Sequence, residues 1–233
     1  MLDVGCSMFI SEQIRNPEPE TSKTPKTTYQ TQIKVTPNQN LTALIDAIHA
    51  CLNDLHDDRL KTYLEEWPSP HAAFRDVSLG SLPVLTYMDL AIKSASQKTK
   101  YVVDMLAAMA DRLAWGQTYS KDDLGAGFLE RYGWSEFIGL RGPIPNENIA
   151  CGVLMLGPEV EYPRHRHEAE EIYIPLTGQT LWRQENQDWA LRELGRPIYH
   201  APWVPHTMKT GEFPLLALYL WRAGDLTQKS LIG

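Results

Sequence analysis

The stretch Tyr162-Pro163-Arg164-His165-Arg166-His167-Glu168-Ala169-Glu170-Glu171-Ile172-Tyr173-Ile174-Pro175-Leu176-Thr177-Gly178 decides how this chain folds. In an extended strand successive side chains point to opposite faces, so His165 and His167 share one side and Arg164 and Arg166 the other. Glu171 has the same parity, and a short turn could bring it round on the next strand. Two imidazoles and a carboxylate suit Fe²⁺, Mn²⁺, Co²⁺, Ni²⁺ or Zn²⁺ and fit Ca²⁺ or Mg²⁺ poorly. A further histidine, His206, follows Pro202-Trp203-Val204-Pro205. A bare HxH pair is more often solvated than ligating. The weight therefore falls on the full spacing: HxH, three residues, Glu171, six residues, Gly178, then Pro202 and His206.

Outward from this stretch, the flanking sequence reads as short β-prone segments: Val153–Leu156, Thr180–Arg183, Trp189–Leu191, Ile198–Ala201 and Leu215–Trp221. Turn signals separate them, among them Gly157-Pro158, Thr177-Gly178, Gly195-Arg196-Pro197 and Gly211. Many short strands at regular spacing predict a sandwich or barrel. Before Gly116 the pattern is helical. Leu41, Leu44, Ile45, Ile48, Cys51, Leu52 and Leu55 recur at helical spacing and predict a helix to about His56. A shorter helix is expected around Leu60–Trp67, and a third helical region over Thr86–Trp115. Residues 11 to 40 are rich in Thr, Pro, Glu, Lys and Gln, with prolines that neither helix interiors nor central strands accept. The expected organisation is thus a flexible arm over 1–40, a helical region over 41–115 and a β-barrel domain over 116–233. The apolar helices could cover the barrel or form a homodimer interface.

Composition narrows the function. The 233 residues carry 22 Lys+Arg against 29 Asp+Glu, a formal charge of −7, which argues against nucleic acid as the main partner. No apolar run approaches the ~18–20 residues that span a bilayer, so no membrane role is expected. Cys6, Cys51 and Cys151 are widely spaced and odd in number, and the N-terminus lacks the charged start and apolar run of a secretory signal. A cytoplasmic protein without disulfides is the default.

Over roughly residues 144 to 233 the spacing HxHxxxExxxxxxG, then Pro202 and His206, resembles the two motifs of the cupin superfamily. The second motif is looser, with no Gly two residues after Pro202 and no Asn four residues after His206. The resemblance implies an α+β, mainly β fold: a helical N-terminal region followed by a C-terminal cupin barrel, with its core at 144–233. It also implies that His165, His167, Glu171 and His206 hold one divalent transition metal (Zn, Fe, Mn, Co or Ni). Cupins host unrelated activities, so residues beyond the ligands must identify the reaction. Tyr173 lies two positions after Glu171 on the same strand face. A phenol has a pKa of ~10 and is a poor base at neutral pH unless a nearby cation favours its ionised form.

The run YPRHRHEAEEIYIPLTG, the later PWVPHTM and the closing PLLALYLWRAGDL look like the cupin-type dimethylsulfoniopropionate (DMSP) lyases of marine bacteria. The layout, helices before a C-terminal cupin, is similar to their DddL group. That family splits a small zwitterionic sulfonium substrate into dimethyl sulfide and acrylate. Carried over by motif position, Tyr173 would be the base, and Trp221 falls where an aromatic helps hold substrate. A sulfonium donates no conventional hydrogen bond, so aromatic faces are its natural partners. Trp182, Trp203, Tyr219 and Trp221 are candidates, with Tyr162 a possible second phenol near the metal. The alternatives are another metal-dependent cupin enzyme, such as a dioxygenase of a small thiol or acid, and a ligand-sensing cupin without activity.

Overall fold

A computed structural model describes residues 37–233. Of the expected arm, residues 1–36 lie outside the described residues, and Pro37–Asn40 form the start of a helix. This helix, α1 (Pro37–Asp54), is followed by α2 (Lys61–Glu65), α3 (Met88–Lys93) and α4 (Lys100–Met109). The expected helical region over Thr86–Trp115 is thus made of separate pieces. Ser96 Oγ accepts the Thr99 N–H at 3.2 Å, and this local bond replaces helix between α3 and α4. Two strands follow, β1 (Trp115–Gly116) and, after α5 (Lys121–Leu124) and α6 (Ala126–Leu129), β2 (Tyr132–Ile138). The remaining strands are β3 (Ile149–Leu156), β4 (Glu161–Arg166), β5 (Glu170–Pro175), β6 (Thr180–Gln184) and β7 (Ala190–Arg192). Then come β8 (Ile198–His200), β9 (His206–Thr210), β10 (Leu215–Arg222) and β11 (Leu231–Ile232).

The strands form two antiparallel sheets, ordered β1-β2-β3-β10-β5-β8 and β11-β4-β9-β6-β7. This is the cupin barrel and the α+β class expected. Alternation along the strands explains why β3, and β10 up to Leu220, are almost wholly apolar: both of their faces are buried there. Cys151, Val153, Met155, Ile172, Ile174, Leu216, Leu218 and Leu220 share one core with Leu44, Ile48, Leu52, Val103 and Leu106 of the helices. The opposite parity, Leu154, Leu156, Tyr173, Leu215, Ala217 and Tyr219, fills the barrel with Tyr162, Trp182 and Met208. The helices thus cover the outside of the six-stranded sheet. Each fully buried Leu, Ile or Val contributes about 1.5–3 kcal/mol to holding them there.

Polar ties fix the two layers together. Thr99 Oγ1 donates to Leu176 O at 2.7 Å, and the Gly178 N–H donates to Ser94 Oγ at 3.1 Å. Arg75 Nε donates to Gly142 O at 2.7 Å. Gly178, the last position of the long motif, has φ +76°, and a Cβ there would stand 2.7 Å from Pro214 O. Only glycine permits that turn at so close an approach to the chain entering β10. Among the described residues no helix is long and apolar enough to cross a membrane.

Candidate active site

His165 lies on β4, His167 just beyond it, Glu171 on β5 and His206 at the start of β9. Pairing of β4 with β9 sets His165 opposite His206, and β5 sets Glu171 between His200 of β8 and Trp221 of β10. Three imidazoles are oriented by the main chain. Nδ1 of His165, His167 and His206 stands 2.8, 2.8 and 2.9 Å from the carbonyl oxygens of Pro163, Ala169 and Val204. A carbonyl only accepts, so each Nδ1 carries a proton and each Nε2 is left with its lone pair.

Two of them, on His167 and His206, converge on Glu171. Its Oε2 is 3.1 Å from His167 Nε2 and 3.2 Å from His206 Nε2. The second contact lacks hydrogen-bond geometry, and His206 Nε2 is buried without a hydrogen-bond partner. Glu171 is fully buried, and its Oε1 accepts the Trp221 indole N–H at 2.6 Å. Burial opposes its ionisation, but His167 and His206, once an added proton makes them cations that donate from Nε2, outweigh this and hold the carboxyl well below the usual carboxylate range. Ligand atoms of His167, Glu171 and His206 lie within 4.8 Å of one another and could hold a metal ion. Two imidazole lone pairs facing one carboxylate oxygen repel unless a cation or an added proton lies between them. This donor set therefore fits a divalent transition metal.

The structure brings three of the four expected ligands together and leaves His165 beside them. The His165 ring is stacked on Tyr162 (centroids 4.0 Å apart) and edge-on to His206 (4.2 Å). His200 also reaches the site, stacked on His206 at 3.9 Å. It receives an N–H from Gln184 Nε2 on Nδ1, at 2.7 Å, and is the opposite tautomer. Burial, and after it His206, holds His200 neutral by pulling its pKa well below the ordinary value.

A small, partly open cavity of about 50 Å³ adjoins this group at Glu171. Tyr173, Tyr162, Tyr219 and Trp221 line it, with His165 and Glu171. Burial, and next the Glu171 carboxylate, pushes the Tyr173 phenol well above its ordinary value. Burial does the same to Tyr162, whose hydroxyl is 3.0 Å from that of Tyr119.

Two of the expected substrate contacts are not on the wall. Trp182 is fully buried behind Tyr173, with ring centroids 5.1 Å apart. Trp203 sits in a left-handed turn with φ +64°, and 45 % of it is exposed. Its backbone N–H donates to His167 O at 2.8 Å, so it supports the segment carrying that histidine instead of facing a ligand.

Other wall residues lie outside the motifs. Tyr132, Trp134 and Glu136 of β2 line the cavity, as do Arg141, Gln228 and Ser230. The alternation Tyr132-Gly133-Trp134-Ser135-Glu136 carries the period of a half-buried strand and could have revealed them. One row crosses four strands: Tyr173 pairs with Tyr219, Tyr219 with Gly152, and Gly152 with Glu136. Gly152 leaves room for the tyrosine: a Cβ there would be 2.6 Å from Tyr219 Oη and 2.3 Å from Ser135 O.

Comparison with known proteins points the same way. The chain is 36 % identical over 112 residues to the DMSP lyase DddQ of Ruegeria pomeroyi, which is 48 % of this chain and 55 % of that one. It is 33 % identical over 122 residues to the putative DMSP lyase DddL of Cereibacter sphaeroides, 52 % of this chain and 50 % of that one. The chain spans about half the length of the curated relatives it matches. Among solved structures, one from work on the DMSP lyases RdDddP and RnDddQII superposes with TM-score 0.77 at 27 % identity, covering 85 % of this chain and 100 % of that one. The DddQ structure from Ruegeria pomeroyi gives 0.72 at 27 %, covering 84 % and 95 %. The family model for dimethylsulfoniopropionate lyase matches residues 58–217, well over half of the sequence, and the chain belongs to that family.

Proposed function

We propose that this protein is a metal-dependent carbon–sulfur lyase that splits DMSP into dimethyl sulfide and acrylate. One observation carries the reading: Glu171 of the His167–Glu171–His206 group and the Tyr173 phenol line a single cavity whose other walls are rich in aromatic rings. When bound, a divalent transition metal held by these three side chains supplies Lewis acidity at the substrate carboxylate and positive charge beside the Tyr173 hydroxyl.

The chain's own groups do the rest. Tyr173, as phenolate, takes the hydrogen α to the carboxylate. The C–H electron pair becomes the Cα=Cβ bond of acrylate, and the Cβ–S pair leaves with sulfur as dimethyl sulfide. Tyr173 then returns its proton to solvent. Trp221 holds the Glu171 carboxylate in place through Oε1, and Trp182 backs the Tyr173 ring. Tyr219 presents its ring to the sulfonium, worth about 0.5–2 kcal/mol, with Trp221 on the metal side of it. No redox change is involved, so oxygen is not consumed, which separates this reading from a dioxygenase.

Headspace gas chromatography over the metal-loaded protein with DMSP tests the proposal. Dimethyl sulfide released in equal amount to acrylate, without oxygen uptake, is the expected result. No dimethyl sulfide across a Zn, Fe, Mn, Co and Ni series would overturn it.

A further inference from the structure

Glu136 is the acidic side chain on the cavity wall that the metal group does not use. Its side chain is 2 % exposed. Oε1 accepts two main-chain N–H groups, from Arg141 at 2.6 Å and Gly142 at 2.9 Å. Oε2 accepts no hydrogen bond among the described residues. The Arg141 Nη1 stands 3.9 Å from it, too far to donate. That guanidinium is drawn elsewhere, donating to the carbonyls of Leu226 and Thr227. This oxygen opens to the cavity, and only the more distant Arg141 and Arg75 charges act on it from the protein, so a further cation in the cavity could still bind it.

Geometry says what that could be. Glu136 lies three strands from Tyr173 along the row through Tyr219 and Gly152. Strands are ~4.8 Å apart along the sheet, but Glu136, Tyr219 and Tyr173 all line the one cavity, with Glu136 on the side away from the histidines. Trp134 lines the same side, and the Tyr219 ring reaches across Gly152 toward it. Arg141 already lies over the Trp134 ring, 5.5 Å from its centroid, so the Tyr219 ring is the aromatic surface left beside the carboxylate, and the pair matches a cation that has no N–H or O–H. Arg141, the other charged wall residue there, would suit an anion, but its Nη groups are committed to main-chain carbonyls.

We propose that Glu136 Oε2 is the anionic element of an onium subsite and recognises the positive sulfur of the substrate, with Tyr219 beside it. This rests on the lyase reading and adds to it a residue that selects for charge. Burial raises the Glu136 pKa, as expected for a carboxylate whose counter-charge arrives with the ligand.

The test compares two probes that differ only in charge, 3-(trimethylammonio)propionate and its carbon isostere 4,4-dimethylpentanoate. Their affinities for the zinc-loaded full chain are read by calorimetry. Both carry the same carboxylate, so the metal end cancels in the ratio. The native protein should favour the cationic probe by at least about tenfold, a difference of ~1.4 kcal/mol. Glu136→Gln can still accept both main-chain N–H groups on its amide oxygen, and should bring the ratio near one. A native ratio near one, or a ratio unchanged in Glu136→Gln, overturns the proposal. Arg141→Gln keeps its main-chain N–H on Oε1 and removes the competing cation. It should widen the ratio, and a ratio that stays or narrows also counts against the subsite. A charge preference lost in Glu136→Gln, in a protein that releases no dimethyl sulfide, would sink the lyase reading and leave the subsite standing.

Discussion

Replacing Trp221 with phenylalanine isolates one hydrogen bond at the metal group. The indole N–H donates to Glu171 Oε1 at 2.6 Å, and its ring is stacked on His167 with centroids 4.2 Å apart. Phenylalanine keeps most of the stack and deletes the donor. Glu171 is fully buried, so Oε1 finds no water in exchange. A hydrogen bond to a charged acceptor contributes about 1.5–3 kcal/mol, and losing an outer partner of a metal ligand typically lowers affinity about 10- to 100-fold. We expect Trp221→Phe to bind zinc about 10- to 100-fold more weakly, measured by competition against a chromophoric chelator. Circular dichroism should show the fold retained. An affinity within about threefold of the native protein would refute the reasoning, because Glu171 would then need no external support.

Tyr173→Phe should keep zinc affinity within about threefold yet lose about 10²–10⁴ in turnover, the usual contribution of a positioned base. Retained dimethyl sulfide release would transfer that role to Tyr162 or Tyr219. Gly152→Ala forces a methyl against Ser135 O and Tyr219. Overpacking of this kind costs about 1–3 kcal/mol, and a thermal midpoint unchanged from native would contradict the close approach. Lys229, with the N–H and hydroxyl of Ser120, holds the Asp123 carboxyl well below the usual range. Its folded pKa is depressed, so this contribution is present above the unfolded value of ~3.9 and is lost as pH falls through the lower folded value. Lys229→Met should raise the Asp123 pKa in an NMR titration; an unmoved titration would show that the ion pair at 2.8 Å is not formed in solution.

Much of the architecture is legible in the chain because burial and alternation coincide. The run from His165 to Ile174 assigns its own faces: Glu171 and Tyr173 inward, Ile172 and Ile174 onto the helices. Leu215 to Trp221 does the same on the strand between. What the sequence conceals is register and depth. Parity places Trp182 on an inward face but cannot say that Tyr173 stands between it and the cavity. Spacing places Trp203 near a ligand, but a left-handed turn takes its ring outward. His165 and His167 share a face, yet pairing with β9 stacks the His165 ring against Tyr162 and His206, leaving His167 to meet Glu171. The wall from β2 arises from pairing with β3, across the intervening loop that carries Arg141. A search centred on histidine motifs does not reach it.

The three imidazoles are each held by a carbonyl of their own main chain, and this bears on how the site tolerates change. A side-chain partner can be deleted by one substitution; a carbonyl cannot. Any replacement that leaves the local backbone path intact leaves the three Nε2 lone pairs facing where they do now. The exception is the carboxylate, whose outer oxygen accepts from an indole. Drift in the sequence around the barrel can therefore reshape the cavity while the histidine half of the metal group persists, and Trp221 is the position at which that insulation ends.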